Sequence, residues 1–293
     1  MTSLRSTLKS ATALAAFTLS FPMASWAEEP IPVVATFSIL GDMVERIGGE
    51  HIALTTLVGP DGDAHVYQPT PKAARSVAES DVLFLNGLDF EGWLERLAEA
   101  ASFDGAMVVA TNGVVPIAFD DHDDHDDHDD HDDEKHDDHD HGAFDPHAWQ
   151  SLENAVIYAN NIAAGLAQAD PENAGDYYAN RAAFVAEVEM LSADIEAMMK
   201  SLPADKRTVV TQHDAFGYFA ATYDLTFVAP QGMSTESEVS AGDVAALITQ
   251  IREESISAVF IESITDNRMM KQIANETGAT IGGTLYSDAL SAK

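Results

Sequence analysis

Residues 171–202 read PENAGDYYANRAAFVAEVEMLSADIEAMMKSL. Tyr177, Phe184, Val188, Leu191, Ile195, Met198 and Leu202 recur there at spacings of three, four and seven, the period of one helix face. Pro171 suits a first turn, and Pro203 closes the run. As a single helix the segment would extend about 48 Å, far beyond the usual three turns. A strut of that length can run the height of two stacked lobes. The alternative is an ordinary core helix inside one domain; the rigid strut is the preferred reading.

Working outward, both flanks alternate β-rich runs with helical ones. Before the strut, residues 31–37, 52–58, 81–86 and 106–111 read as strands, with helices over 39–48, 71–80 and 90–101. After it, residues 208–213, 225–229, 258–262 and 280–285 read as strands, with helices over 243–254 and 267–276. Such alternation predicts an α/β fold of two lobes, each a mostly parallel sheet flanked by helices. The expected division is an N-terminal lobe over 28–170, a linking helix over 171–202 and a C-terminal lobe over 203–293. Residues 286–293 follow the last strand without a closing helix, as expected of a shortened chain.

The first 27 residues form an address. Arg5 and Lys9 make a positive start, residues 11–21 are apolar but too short to span a bilayer, and Ser25 and Ala27 offer small residues at a cleavage site. Cleavage after Ala27 is expected to leave an exported, periplasmic protein; a short membrane anchor is the alternative.

The 293 residues carry 15 basic and 49 acidic side chains, a formal charge of −34. This argues against a nucleic-acid binder or a polybasic membrane-surface protein. No cysteine is present, so disulfides, thiolate metal sites and thiol nucleophiles are excluded. The acid is concentrated. Residues 120–140 alone carry a net −13. They belong to an Asp-Asp-His repeat holding His122, His125, His128, His131, His136, His139 and His141. Self-repulsion and the lack of apolar residues predict a disordered loop over 120–141. It reads as a low-affinity collector of cations, or as a plain spacer.

Four histidines lie elsewhere: His51, His65, His147 and His213. His65 follows the second strand, His147 lies between the acidic run and a helix, and His213 ends the strand over 208–213. Asp288 follows the last strand. Ligands of open α/β sheets gather beyond the carboxyl ends of strands. Three neutral imidazoles and one carboxylate suit Zn²⁺ in a tetrahedron, and four protein donors would leave no position for activated water. Spacing alone leaves each histidine equally an ordinary loop residue. His51 reads as structural, and Glu262 as a cleft carboxylate or an outer hydrogen-bond acceptor.

The motifs Asp63-Ala64-His65-x-Tyr67-x-Pro69-x-Pro71, Asp145-Pro146-His147-x-Trp149, Gly232-Met233-Ser234-Thr235-Glu236, His213-Asp214-Ala215-Phe216 and Tyr286-Ser287-Asp288 resemble those of the metal-binding solute-binding proteins of ABC importers. The resemblance is to the periplasmic zinc-uptake (ZnuA/AztC-like) type and covers the chain from Ile31 onward. It implies two α/β lobes joined by a long helix, with the metal between them on His65, His147, His213 and Asp288. It further implies zinc, because manganese and iron members typically place a glutamate at the position of His213; a manganese- or iron-binding importer component is the alternative. A His-rich insert before Asp-Pro-His is characteristic of zinc members. The absence of cysteine makes the chain similar to members supplied by a periplasmic zinc metallochaperone. The implied partners are an inner-membrane permease and such a chaperone, with the protein a monomer and not an enzyme. A zinc hydrolase would need an open coordination position and a motif such as His-Glu-x-x-His, which does not occur. An adhesin or metal-storage protein is the third class.

Overall fold

The computed structural model describes residues 29–118, 144–236 and 238–292. The N-terminal address and the seven histidines of the acidic run lie outside the described residues. The chain begins β1 (Ile31–Phe37), α1 (Ser38–Gly48), β2 (Ile52–Val58), α2 (Pro71–Ala78), β3 (Val82–Leu85), α3 (Leu94–Ala101) and β4 (Ala106–Val109). These four strands are parallel and ordered β2-β1-β3-β4. β1 is buried over its last five residues, as expected of a central strand covered on both faces. α2 starts as its sequence dictates: Pro71 opens the first turn and the Thr70 side chain accepts from the Ala73 amide.

Two long helices follow, α4 (Leu152–Ala169) and α5 (Ala174–Ser201), separated by a short 3₁₀ turn at Pro171–Asn173. α4 buries Tyr158, Ile162 and Leu166 in the core of the first sheet. A Cβ on Gly165 would meet Val108 at 2.6 Å, so only glycine lets this helix lie so close to β4. The 28 residues of α5 span about 42 Å and link the two sheets.

The apolar stripe of α5 is buried only in its first half. Tyr177, Phe184 and Val188 are covered by the first lobe. Leu191 and Met198, expected on the same buried face, are exposed. The helix outruns the core against which it packs. Its end is held instead by Arg207, whose guanidinium donates to the carbonyls of Met199 (2.9 Å), Tyr223 (3.1 Å) and Asp224 (3.0 Å).

The second lobe repeats the plan: β5 (Thr208–Val210), α6 (Gly217–Tyr223), β6 (Thr226–Val228), α7 (Ala241–Glu253), β7 (Ala258–Glu262), α8 (Arg268–Thr277) and β8 (Thr280–Leu285). Its strands are parallel in the order β6-β5-β7-β8, the first lobe's order shifted by four. Ser240 and Asp243 form a reciprocal capping box at the start of α7. α8 stops at Gly278, whose φ of 78° lies in the left-handed region. No helix among the described residues is long and apolar enough to cross a membrane.

Two expectations are corrected, and one helix is added. The strand expected over 208–213 ends at Val210, because the amides of Gln212 and His213 turn to the Glu262 carboxylate. His213 therefore sits three residues past the strand. The helix expected over 90–101 begins at Leu94. Ahead of it, Leu88 and Asp89 take positive φ, and the Glu91 carboxylate folds back onto the amides of Asn86 (2.7 Å) and Gly87 (3.3 Å). α6 was not foreseen, since its Tyr, Phe and Thr residues are β-formers by composition.

The division of burial gives a stability test. Ile162→Ala is expected to cost about 2–5 kcal/mol. Met190→Ala, on the exposed stretch of α5, is expected to stay within about 0.5 kcal/mol. Urea unfolding of the two variants checks both.

Candidate metal centre

Both sheets present their carboxyl ends to one another, and four loops meet there. His65 comes from the loop between β2 and α2. His147 precedes a 3₁₀ turn, Ala148–Gln150, that leads toward α4. His213 follows β5, and Asp288 follows β8. One donor atom from each of these residues lies within 4.8 Å of all the others, and His147, His213 and Asp288 are fully buried. The structure thus brings together the four residues singled out in the sequence. His51 lies apart, paired with Asp176 at 2.9 Å.

The separations within the cluster are informative. Asp288 Oδ2 is 3.2 Å from His65 Nε2 and 3.1 Å from His213 Nε2. His147 Nε2 is 3.4 Å from His65 Nε2 and 3.7 Å from Asp288 Oδ1. A tetrahedron with bonds of 2.0–2.1 Å has edges of about 3.3 Å. Both Asp288 oxygens and His213 Nε2 are buried without a hydrogen-bond partner among the described residues. Polar atoms left bare in this way are costly unless something completes them. Here they converge on one point.

Carboxylates hold the histidines or the backbone that carries them. The Asp145 carboxylate accepts from the backbone N–H of His147 (2.9 Å) and lies 2.8 Å from its Nδ1, leaving Nε2 for the cluster. The Asp63 carboxylate accepts from the backbone N–H of His65 at 2.9 Å, and its other oxygen accepts from Thr235 of the second lobe at 2.7 Å. Glu262, considered as a cleft carboxylate, stays outside the four and faces His213 Nδ1 at 2.5 Å. A wall of rings closes the back of the site, with Phe90 4.8 Å from His65 and Trp149 5.2 Å from His147. This wall is absent from the sequence reading, since Phe90 lies in the segment taken for a helix. The repeated Asp-x-His of residues 63–65 and 145–147 is the signal that announces both carboxylates that accept the histidine backbone N–H.

Residues 286–292 bind back across the cleft. Ser287 O accepts from Trp149 Nε1 (2.9 Å) and Gln150 Nε2 (2.7 Å). Leu290 N donates to Ser38 Oγ at 3.0 Å, while Leu290 O accepts from Asp61 N at 2.8 Å. Ala292 N donates to Asp61 Oδ2 at 3.0 Å.

The charges are strongly coupled. Burial alone would strip His213 of a proton, but Asp288 and Glu262 beside it raise its pKa well above 6.5. Burial likewise opposes charge on Asp288, but His213, His147 and His65 hold its carboxyl well below 3.8.

A family model described as the periplasmic zinc-uptake complex component A, ZnuA, matches residues 33–293. The chain belongs to this family. ZnuA relatives include the iron-binding protein YfeA of Yersinia pestis, 32% identical over 259 residues that cover 88% of this chain and 78% of the relative. The manganese-binding lipoprotein MntA of Halalkalibacterium halodurans is 30% identical over 263 residues, covering 89% and 81%. Among solved structures, the periplasmic zinc-binding protein TroA of Treponema pallidum superposes with a TM-score of 0.79 at 26% identity, covering 89% of this chain and 90% of that one. A manganese-bound mutant of a periplasmic metal-binding protein from Candidatus Liberibacter asiaticus gives 0.75 at 30% identity, covering 88% and 90%. Membership in the ZnuA family places the chain among the periplasmic metal-binding components of ABC importers. The metals named for these relatives differ, so kinship leaves the metal open.

The raised pKa of His213 has a measurable consequence. Below that pKa the imidazole keeps its proton, so at pH 7 a metal entering the cluster must expel it. Apparent affinity should therefore rise with pH across the neutral range. Calorimetric titrations in buffers of different ionisation enthalpy should show proton release on metal uptake at pH 7.

Proposed function

We propose that this protein captures Zn²⁺ in the periplasm through His65, His147, His213 and Asp288 and delivers it to an inner-membrane ABC permease. The observation that carries the reading is the convergence of three imidazoles on a buried carboxylate that has no other hydrogen-bond partner. Imidazole nitrogen favours zinc over hard ions that want oxygen. The separations of 3.1–3.7 Å support four-coordinate geometry rather than a larger oxygen shell. Four protein donors fill a tetrahedron, which suits capture and leaves no place for an activated water. The protein on this reading is a carrier, and zinc is its cargo.

Cleavage after Ala27 would release a mature chain into the periplasm. The run containing His122, His125, His128, His131, His136, His139 and His141 supplies weak, carboxylate-rich sites that raise the local cation concentration. It speeds acquisition, or transfer from a periplasmic zinc metallochaperone, without setting the affinity of the cleft. The protein acts as a monomer.

Metal analysis of protein purified without chelator should find one tightly held zinc, with manganese displaced in direct competition. His213→Glu should shift that competition toward manganese and iron; retained zinc preference would sink the argument from the third imidazole. Deleting residues 120–141 should remove the weak sites and leave the tight constant unchanged. Loss of the tight site in that deletion would refute the collector reading.

A further inference from the structure

Glu262 ends β7 as a buried carboxylate surrounded by hydrogen-bond donors. Its Oε1 accepts the backbone N–H groups of Gln212 (2.8 Å) and His213 (2.9 Å). Its Oε2 accepts the Ser287 hydroxyl at 2.8 Å and lies 2.5 Å from His213 Nδ1. Among the described residues, Nδ1 has no other polar partner, so Glu262 Oε2 is the acceptor within its reach. One side chain thus touches both loops that carry the second lobe's members of the cluster, the loop of His213 and the loop of Asp288.

We infer that Glu262 is a positioning residue for metal capture: it assigns the proton of neutral His213 to Nδ1, frees Nε2 for the metal, and through Ser287 sets Asp288 in register with it. The inference rests on the proposal that the four clustered residues hold the metal. The chemistry follows from counting donors. A histidine that coordinates through Nε2 must carry its proton on Nδ1, and Glu262 is the acceptor placed to take it. Oε1 is already committed to two amides, so Oε2 carries the assignment.

Glu262→Gln separates this role from packing because it preserves shape. The amide NH₂ cannot replace Oε1, where it would face two backbone N–H donors. It must replace Oε2, where Ser287 can rotate to accept but His213 Nδ1 must become an acceptor. The imidazole proton then moves to Nε2, pointing at the metal position. Zinc can bind only by reversing that tautomer and losing a buried hydrogen bond. The expected result is a 10–100-fold weaker zinc affinity with an unchanged circular-dichroism spectrum. ¹⁵N correlation of the His213 ring in the zinc-free variant at pH above its titration should show Nε2 protonated. An affinity within about threefold of the parent chain, or a ring still protonated on Nδ1, would overturn the inference.

A second measurement does not depend on the variant folding. In the parent chain loaded with zinc, ¹⁵N spectra should show His213 with Nδ1–H and with Nε2 bound to metal. Coordination through Nδ1 would overturn the inference equally. His213→Ala and Asp288→Asn test the underlying site separately. If both keep the tight zinc, the four-residue site is wrong; if both lose it while Glu262→Gln does not weaken binding, only the role given to Glu262 fails.

Discussion

The arrangement depends on one constraint: a carboxylate, Asp288, is buried completely and has no hydrogen-bond partner of its own among the described residues. Burying a charge in this way is expensive unless opposite charge gathers around it. Three imidazoles from three separate loops surround it, and against the cost of burial His213, His147 and His65 hold its carboxyl well below the usual range. This compensation is incomplete, because the cluster satisfies itself only when His213 borrows a proton. On the reading proposed above, a divalent cation would take the place of that proton between His213 Nε2 and the Asp288 carboxylate. The strain of the cluster and its fitness for a cation are the same fact.

The fold makes this convergence possible by repetition. Both sheets follow one strand order, and in each the first strand lies between its successor and a later strand. Open α/β sheets bind ligands at such reversals, beyond the carboxyl ends of the strands. Two such crevices set face to face give one enclosed site lined by loops from both. α5 links the sheets, yet its second half packs against little, so the connection is a rod anchored at its ends. Side-chain contacts across the cleft, such as Thr235 with Asp63 and Tyr218 Oη donating to Asp145 O at 3.0 Å, fix the lobes more locally.

Much of this was legible in the residues. The strand–helix alternation and the long helix follow from periodicity; strand ends make His65, His213 and Asp288 candidates, and the family resemblance of the motifs joins them with His147 as a set. What escaped was set by tertiary contacts. Leu191 and Met198 keep a core-like spacing on a helix that has left its core, and spacing cannot reveal where a neighbour ends. Phe90 reads as the start of a helix, but the buried Glu91 carboxylate, its pKa raised by burial, claims the adjacent amides and turns the chain so that Phe90 backs the site. His213 reads as a strand residue because its neighbours are β-formers, whereas Glu262, 49 positions later, takes its amide out of the ladder. A sequence window cannot see a partner at that distance.

By chain position, the four clustered residues divide evenly, two from each half. Mechanically they do not. The strap carrying Asp288 makes five hydrogen bonds to the first lobe, through Trp149, Gln150, Ser38 and twice Asp61, and its bond to the second lobe's own body runs from Ser287 to Glu262. Asp288 thus belongs to one lobe by chain, three residues past β8, and is tied by its strap to both. Separating the two sheets therefore requires breaking hydrogen bonds made by the residues that flank Asp288.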